Sequence, residues 1–349
     1  MRFGYWMPMF GGWLRNVPDE GMEASWDYVR DLAVRAEQIG FDLTLIAELN
    51  LNDIKGKDAP SLDAWSTAAA IAAVTKTQEI MVAVRPNFHQ PGLFAKAAAN
   101  IDRIANGRLS LNVVSSWWAE EAKQFGLVFD QHDDRYARTA EWLEVVAGLW
   151  SEPVYDFAGK FYRMEQARLE PKPVRRPTIY AGGESDAAKS MIAVQCDAYV
   201  MHGDPVADIA PKIADMAGRR TAAGGAPMQF GMAAYAIVRD SEAEAQRELE
   251  RILEVKQLPA GYDNFDQWLS GTQLERELKI REYSVSNRGL RPNLVGTPEQ
   301  VRQRIADYEG AGLDLLLLQF SPQMEEMERF AAQVIGTRVE KPSALRIDA

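Results

Sequence analysis

Residues 178–201 read TIYAGGESDAAKSMIAVQCDAYVM: a short β-branched and aromatic run, a double glycine, a helical stretch, and a second short apolar run. A strand, a helix and a strand in so few residues predict a parallel pair with the helix packed outside it. Working outward, the same unit recurs along the chain. The expected strands are Arg2–Pro8, Leu43–Ala47, Ile80–Val84, Leu109–Val114, Thr178–Tyr180, Ala198–Met201, Gln229–Val238 and Leu313–Phe320. Helical patterns at about 22–39, 62–75, 91–106, 133–151, 186–194, 205–223, 241–256 and 298–311 lie between them, and 323–335 follows the last strand. Ser61 before Leu62, Pro91, Asp186 before Ala187 and Thr297-Pro298-Glu299 mark helix starts, while Gly40, Gly107 and Gly312 mark ends. Strict βα alternation, with no G-x-G-x-x-G loop after the first strand, predicts an α/β fold. Its form is a closed (β/α)8 TIM barrel rather than a doubly wound open sheet. Residues 1–349 then form a single barrel domain.

Two stretches break the rhythm. Residues 152–177 contain four prolines and alternating aromatics, which predicts a hairpin and loop. Residues 257–296 form a long polar, aromatic and Arg-rich insertion after the seventh strand, at the barrel end where active sites sit. The insertion suits a mobile lid, and equally a surface excursion or an oligomer contact.

Composition excludes several classes. The chain has 39 Lys+Arg against 50 Asp+Glu, a net charge of −11, and no basic run to neutralise phosphates, so nucleic acid is not an expected partner. The longest apolar runs, such as Leu313–Leu318, are far shorter than a membrane span, and MRFGYWMPMF lacks the marks of a signal peptide. The cytoplasm is the expected location. The single cysteine, Cys196, rules out an intrachain disulfide framework, and His89, His132 and His202 lie too far apart in the chain for a zinc motif; no metal is expected. With no G-x-S-x-G elbow and no Walker loop, reactive chemistry falls to a bound organic cofactor.

Two segments offer the chemistry to hold one. In Ile179–Asp186, the double glycine Gly182-Gly183 precedes a helix start whose unpaired N–H groups and dipole favour an anion, and Ser185 adds a hydroxyl. The same residues also suit a plain tight turn. Asn112-Val113-Val114-Ser115-Ser116-Trp117-Trp118 places amide and hydroxyl groups beside two aromatics at the end of the fourth strand, which suits a planar heterocycle or ordinary core packing. His132-Asp133-Asp134-Arg135-Tyr136 opens the next helix, with Asp133 or Asp134 as its cap.

Taken together, the segments resemble the bacterial luciferase-like flavin monooxygenases, and within them the dimethyl sulfone and alkanesulfonate monooxygenase branch. The resemblance rests on Phe3–Pro8, SLDAW at 61–65, AVRP at 83–86, NIDRIANGRLSLNVVSSWW at 100–118, HDDRYARTAEW at 132–142, GKFYRMEQARLEPKP at 159–173, GGESDAA at 182–188 and NLVGTPEQV at 293–301. It implies a (β/α)8 barrel that uses reduced FMN, supplied by a separate NAD(P)H-dependent flavin reductase, with O2 as co-substrate. The implied reaction is oxidation of a small organosulfur compound with C–S cleavage. Matching positions imply Gly183, Glu184, Ser185 and Tyr136 around the FMN phosphate, and Ala83, Asn112 and Ser115 around the ring. A homodimer or homotetramer is also implied.

Departures from the branch narrow the substrate. Ser61 stands where alkanesulfonate monooxygenases carry a cysteine, Phe10 stands near their N-terminal histidine, and Ala233 and Tyr235 replace an arginine and a histidine. Sulfones are therefore expected ahead of sulfonates. A pyrimidine-cleaving branch shares Asn112, Trp117 and Glu121 but has threonine at the place of Ala83. Tyr235 and Ser61 stand as candidate proton donors, and Arg281, Arg288 and Arg291 as candidate clamps for sulfonyl oxygens. Trp6, Phe10 and Trp117 suit an apolar substrate pocket, or core. A deazaflavin-dependent oxidoreductase and a non-catalytic flavin-binding protein are the rival classes.

Overall fold

The computed structural model describes residues 1–254, 284–285 and 288–336, and for His132 and Asp133 the backbone alone. Strands β1 (Arg2–Met7), β2 (Leu43–Ile46), β3 (Glu79–Val84) and β4 (Leu109–Val113) are followed by an antiparallel hairpin, β5 (Tyr155–Ala158) and β6 (Arg163–Ala167). Then come β7 (Thr178–Ala181), β8 (Ala198–Met201), β9 (Gln229–Val238), the short β10 (Leu294–Gly296) and β11 (Leu315–Gln319). Eight of these pair in parallel in the order β1-β2-β3-β4-β7-β8-β9-β11, and β11 returns to β1, closing the expected barrel. The helices are α1 (Trp26–Gln38), α2 (Ala64–Val74), α3 (Pro91–Ile104), α4 (Ala119–Gln124), α5 (His132–Ser151), α6 (Asp186–Gln195), α7 (Val206–Ala222), α8 (Glu242–Leu253), α9 (Pro298–Gly310) and α10 (Gln323–Phe330).

Alternation along each strand divides the apolar residues between two cores. Leu43, Leu45, Met81, Tyr180, Ala198, Leu315 and Leu317 point inward and fill the barrel, with Trp6 and Val200 packed on them. Their neighbours Ile46, Val82, Leu111, Ile179, Leu316 and Leu318 point outward and join the core with helix residues such as Val29, Leu32, Ile71 and Ile192. At the N-terminal end of the barrel interior, the Arg2 guanidinium donates to Glu79 at 2.6 Å and to the Tyr180 hydroxyl at 3.2 Å.

Most helix ends follow the expected signals. Thr297 and Gln300 form a reciprocal capping box at α9, and Gly107 and Gly312 take φ values of 79° and 96° that glycine adopts without strain. The cap of α2, however, is Asp63, which accepts from the Ser66 N–H at 2.8 Å; Ser61 lies before it and donates to the Asn50 carbonyl at 3.2 Å. Likewise α5 starts at His132 after Gln131, with no side-chain cap, and Asp134 pairs instead with Lys160 at 2.7 Å.

Most of the 257–296 insertion, including Arg281, lies outside the described residues. Its described end docks at the barrel mouth. Val285 bridges to Leu14, the Arg15 N–H donates to the Ser284 carbonyl at 3.1 Å, and the Tyr235 N–H donates to the Gly289 carbonyl at 2.7 Å. Short β10 then extends the sheet alongside the end of β9. Among the described residues no helix is long and apolar enough to cross a membrane, and no group of His, Cys, Asp and Glu is arranged to hold a metal.

Candidate active site

The C-terminal ends of the barrel strands form the mouth. Ala83 and Asn112 are neighbours in register on β3 and β4, Asn112 is in turn beside Tyr180, and both point inward on the same face as Met81. Beyond β4 the chain turns at Ser116, whose φ of 53° is in the left-handed region, and brings Trp117 and Trp118 into a stack 5.3 Å apart and 4° from parallel. Ser115 is held by a 3.0 Å hydrogen bond with the Thr139 hydroxyl of α5.

The glycine turn after β7 leads into α6. Ser185 caps this helix by accepting from the Ala188 N–H at 3.2 Å, and its side chain also bonds the Tyr136 hydroxyl. Burial raises the Tyr136 phenol above its ordinary range, against the pull of Ser185 and Arg135, so it stays a neutral donor at pH 7. Both glycines are required by close approach. A Cβ on Gly182 would stand 2.7 Å from the Val200 carbonyl oxygen, and one on Gly183 would stand 2.5 Å from the Ala188 Cβ and 3.3 Å from the Tyr136 hydroxyl. The structure thus brings Tyr136, Gly183 and Ser185 together at a helix N-terminus, a donor set that fits a phosphate.

Glu184 is engaged elsewhere. It accepts from Lys212 at 3.0 Å and from Arg288, while Asp204 accepts from Lys212 at 2.9 Å and Arg291 at 3.1 Å, with Arg288 at 3.7 Å. The residues expected to contact phosphate or substrate through Glu184, Arg288 and Arg291 therefore share one buried ion-pair network. The loop carrying both arginines lies against β8 and β9: a Cβ on Gly203 would meet the Arg288 carbonyl at 2.5 Å and the Ala233 carbonyl at 2.8 Å. Burial and the neighbouring Arg288 and Lys212 push His202 down to about 4 despite Glu184 and Asp204, so it is neutral at pH 7.

The opposite side of the mouth holds the remaining candidates. Trp6, one residue before the end of β1, faces inward, 6.2 Å from Trp13 in an edge contact. Phe10 is buried in the main core, its carbonyl accepting from Asn52 at 2.9 Å. Tyr235 is separate from both: it packs with Leu14, Ile237, Ala245, Ile252, Val285 and Val295 in an apolar cluster against α8. Burial, then Glu20, Glu248 and Glu326, raises its phenol well above its ordinary range, a setting poor for proton transfer. The lone Cys196 is buried at the end of α6, its thiol pushed up to about 12, mainly by burial.

Sequence reasoning missed two features. After β2 and β3, Glu48 takes the Trp65 indole at 3.0 Å, the Arg85 N–H at 2.8 Å and the His89 Nε2 at 2.5 Å, while Arg85 forks onto buried Glu121. Gln319 ends β11 inside the mouth. Each is a polar residue closing an apolar strand, the same pattern that drew attention to Asn112.

The family described as luciferase-like monooxygenase matches residues 1–315. An FMNH2-dependent dimethylsulfone monooxygenase of Pseudomonas fluorescens (strain Pf0-1) is 32% identical over 353 residues, covering 96% of this chain and 93% of the relative. One of the same description from Pseudomonas putida is 32% identical over 347 residues, covering 96% and 94%. The crystal structure of a long-chain alkane monooxygenase superposes with a TM-score of 0.84 at 19% identity, over 98% of this chain and 93% of that one, a likeness of fold. With the barrel closed as the strand pattern predicts and the match running through nearly its whole length, the chain belongs to the luciferase-like monooxygenase family.

Proposed function

We propose that this protein is a two-component monooxygenase that receives reduced FMN from a separate NAD(P)H-dependent flavin reductase. With O2 it oxidises a small organosulfur compound, a sulfone ahead of a sulfonate, and the C–S bond is cleaved. The observation that carries the reading is the anion cradle of Gly183, Ser185 and Tyr136 at the start of α6, set beside the Ala83–Asn112 pair in a mouth lined by indoles. The 32% identity to two FMNH2-dependent dimethylsulfone monooxygenases, over almost the full length of both chains, supports the substrate class.

When bound, reduced FMN supplies two electrons to O2, one oxygen atom entering the substrate and the other leaving as water. The chain's own residues do the rest. Backbone N–H groups after Gly183, with the Ser185 and Tyr136 hydroxyls, hold the phosphate; Asn112 and Ser115 offer polar edges to the ring, and small Ala83 leaves room for its face. Trp117, Trp6 and Phe10 exclude water from the reacting space. Arg288 and Arg291 act at one remove, anchoring the loop that returns from the insertion to the mouth through Glu184 and Asp204.

The test supplies reduced FMN and O2 with a panel of sulfones, sulfonates and pyrimidines and measures sulfinate, sulfite and aldehyde. Sulfone turnover at the highest kcat/KM is expected. Product from none of the sulfur compounds overturns the reading, and substrate-dependent reduction of a deazaflavin would move the protein to the rival class.

A further inference from the structure

Among the described residues three glutamines are wholly buried around the barrel, and they differ in one respect. Gln78 donates to the Ala33 carbonyl at 2.9 Å and accepts from Tyr5 at 3.3 Å; Gln323 accepts from the Trp13 indole at 2.8 Å and donates to the Trp6 carbonyl at 3.2 Å. Gln319, 1% exposed, has no partner at either amide atom among the described residues. The indoles repeat the contrast. Trp13, Trp65, Trp142 and Trp150 each donate to a protein acceptor, whereas the buried Nε1 atoms of Trp6 and Trp118 have none among the described residues. Leaving a buried polar atom unpaired is costly, so native folds keep such atoms where a ligand or an ordered water completes them.

Trp6 and Gln319 are adjacent. β1 and β11 run in parallel with Gly4 opposite Leu317, so Trp6 and Gln319 are the next inward positions toward the mouth. Gln319 stands on the strand four places from β4 in an eight-strand ring, hence across the mouth from Asn112 and the proposed flavin wall. Their chemistry is also particular. Around the mouth Arg15, Arg85, Arg288 and Arg291 are each held by a carboxylate, so the N–H groups left open on Trp6 and Gln319 are uncharged. Against these uncharged donors of the described residues an anion would lose its hydration without gaining an opposite charge, whereas a neutral molecule rich in strong acceptors would not face that loss.

We propose that Gln319 Nε2 and Trp6 Nε1 donate to the two oxygens of a neutral sulfonyl group, and that this uncharged pair selects sulfones over sulfonates. The inference rests on the organosulfur reading above and names the residues that decide within it.

The test is steady-state kinetics with dimethyl sulfone and methanesulfonate, alongside FMN affinity by fluorescence. Gln319→Met keeps the side-chain length and removes the amide. We expect KM for dimethyl sulfone to rise roughly tenfold or more, as loss of a buried donor does, with FMN affinity unchanged and thermal stability no lower than wild type. Trp6→Phe removes the other N–H and is expected to raise KM by a smaller factor, giving a second reading if the first variant folds poorly. A KM within twofold of wild type in both variants overturns the inference, as does a loss of FMN affinity that tracks the rise in KM. Wild-type preference for methanesulfonate overturns it while leaving the organosulfur reading standing; no turnover of any sulfur compound removes both.

Discussion

The two ends of the barrel treat their polar groups in opposite ways. At the N-terminal end a carboxylate placed just before a strand takes the backbone N–H of the neighbouring strand: Asp42 from Phe3 at 2.8 Å, Asp197 from Ile179 at 2.8 Å, and Asp314 from Phe230 at 2.9 Å. Asp102 adds a buried version, accepting from Val174 at 2.8 Å and Leu109 at 3.3 Å. These short bonds recur because the repeat recurs, and they close strand ends that would otherwise expose unpaired donors. At the C-terminal end the charges are tied across long loops, and Trp6 and Gln319 are left open. At one end these carboxylates serve the fold, while at the other the inward Trp6 and Gln319 have donors without a partner among the described residues.

That contrast can be broken by substitution, and the largest effect is expected in the mouth network. Arg288→Ala strands buried Glu184, with Lys212 as partial compensation, and should lower unfolding free energy by about 3 kcal/mol in urea titration. A change near zero would show the network to be incidental. Next comes acid. His202 sits in the same network with its folded value near 4 against an ordinary 6.5. The folded state therefore binds fewer protons than the unfolded state, so this contribution is complete above pH 6.5 and is lost progressively as pH falls to 4. Thermal melts between pH 7.5 and 4.5 should decline more steeply for wild type than for His202→Asn; equal slopes would remove His202 from the account. The smallest effect is expected at the other end: Asp102→Ala frees the Leu109 and Val174 N–H groups and should cost about 2 kcal/mol while leaving KM and FMN affinity as they were. A shift in KM from that substitution would erase the division of labour between the ends.

Much of the fold was legible because its signals are local. All eight barrel strands lie within a residue or two of their expected limits, since each is a short apolar run between glycine, proline or capping residues. What was missed is short. α4 spans too few residues to show a helical period, and β10 is three residues inside a polar insertion, ordered by pairing with the end of β9. Ser61 resembled a cap, but Asp63, one residue before the helix, has the stronger acceptor. In the site, the Gly182-Gly183 turn was readable as a local device, whereas Ala83 and Asn112 were marked by resemblance and brought side by side by strand register.

The sequence by itself determined the repeating unit, the turn that presents N–H groups at α6 and the family to which the chain belongs. These rest on interactions between residues close in the chain, or on motifs kept in order along it. Only the tertiary structure decided which polar groups are spent and which are open. Glu184 and Arg288 are 104 residues apart and meet as a buried pair. Gln319 closes a run of leucines with nothing nearby in sequence to set it apart from Gln78 or Gln323. Its amide differs from theirs because closure of the barrel buries it without a partner among the described residues, and burial without a partner is a property of three-dimensional packing alone.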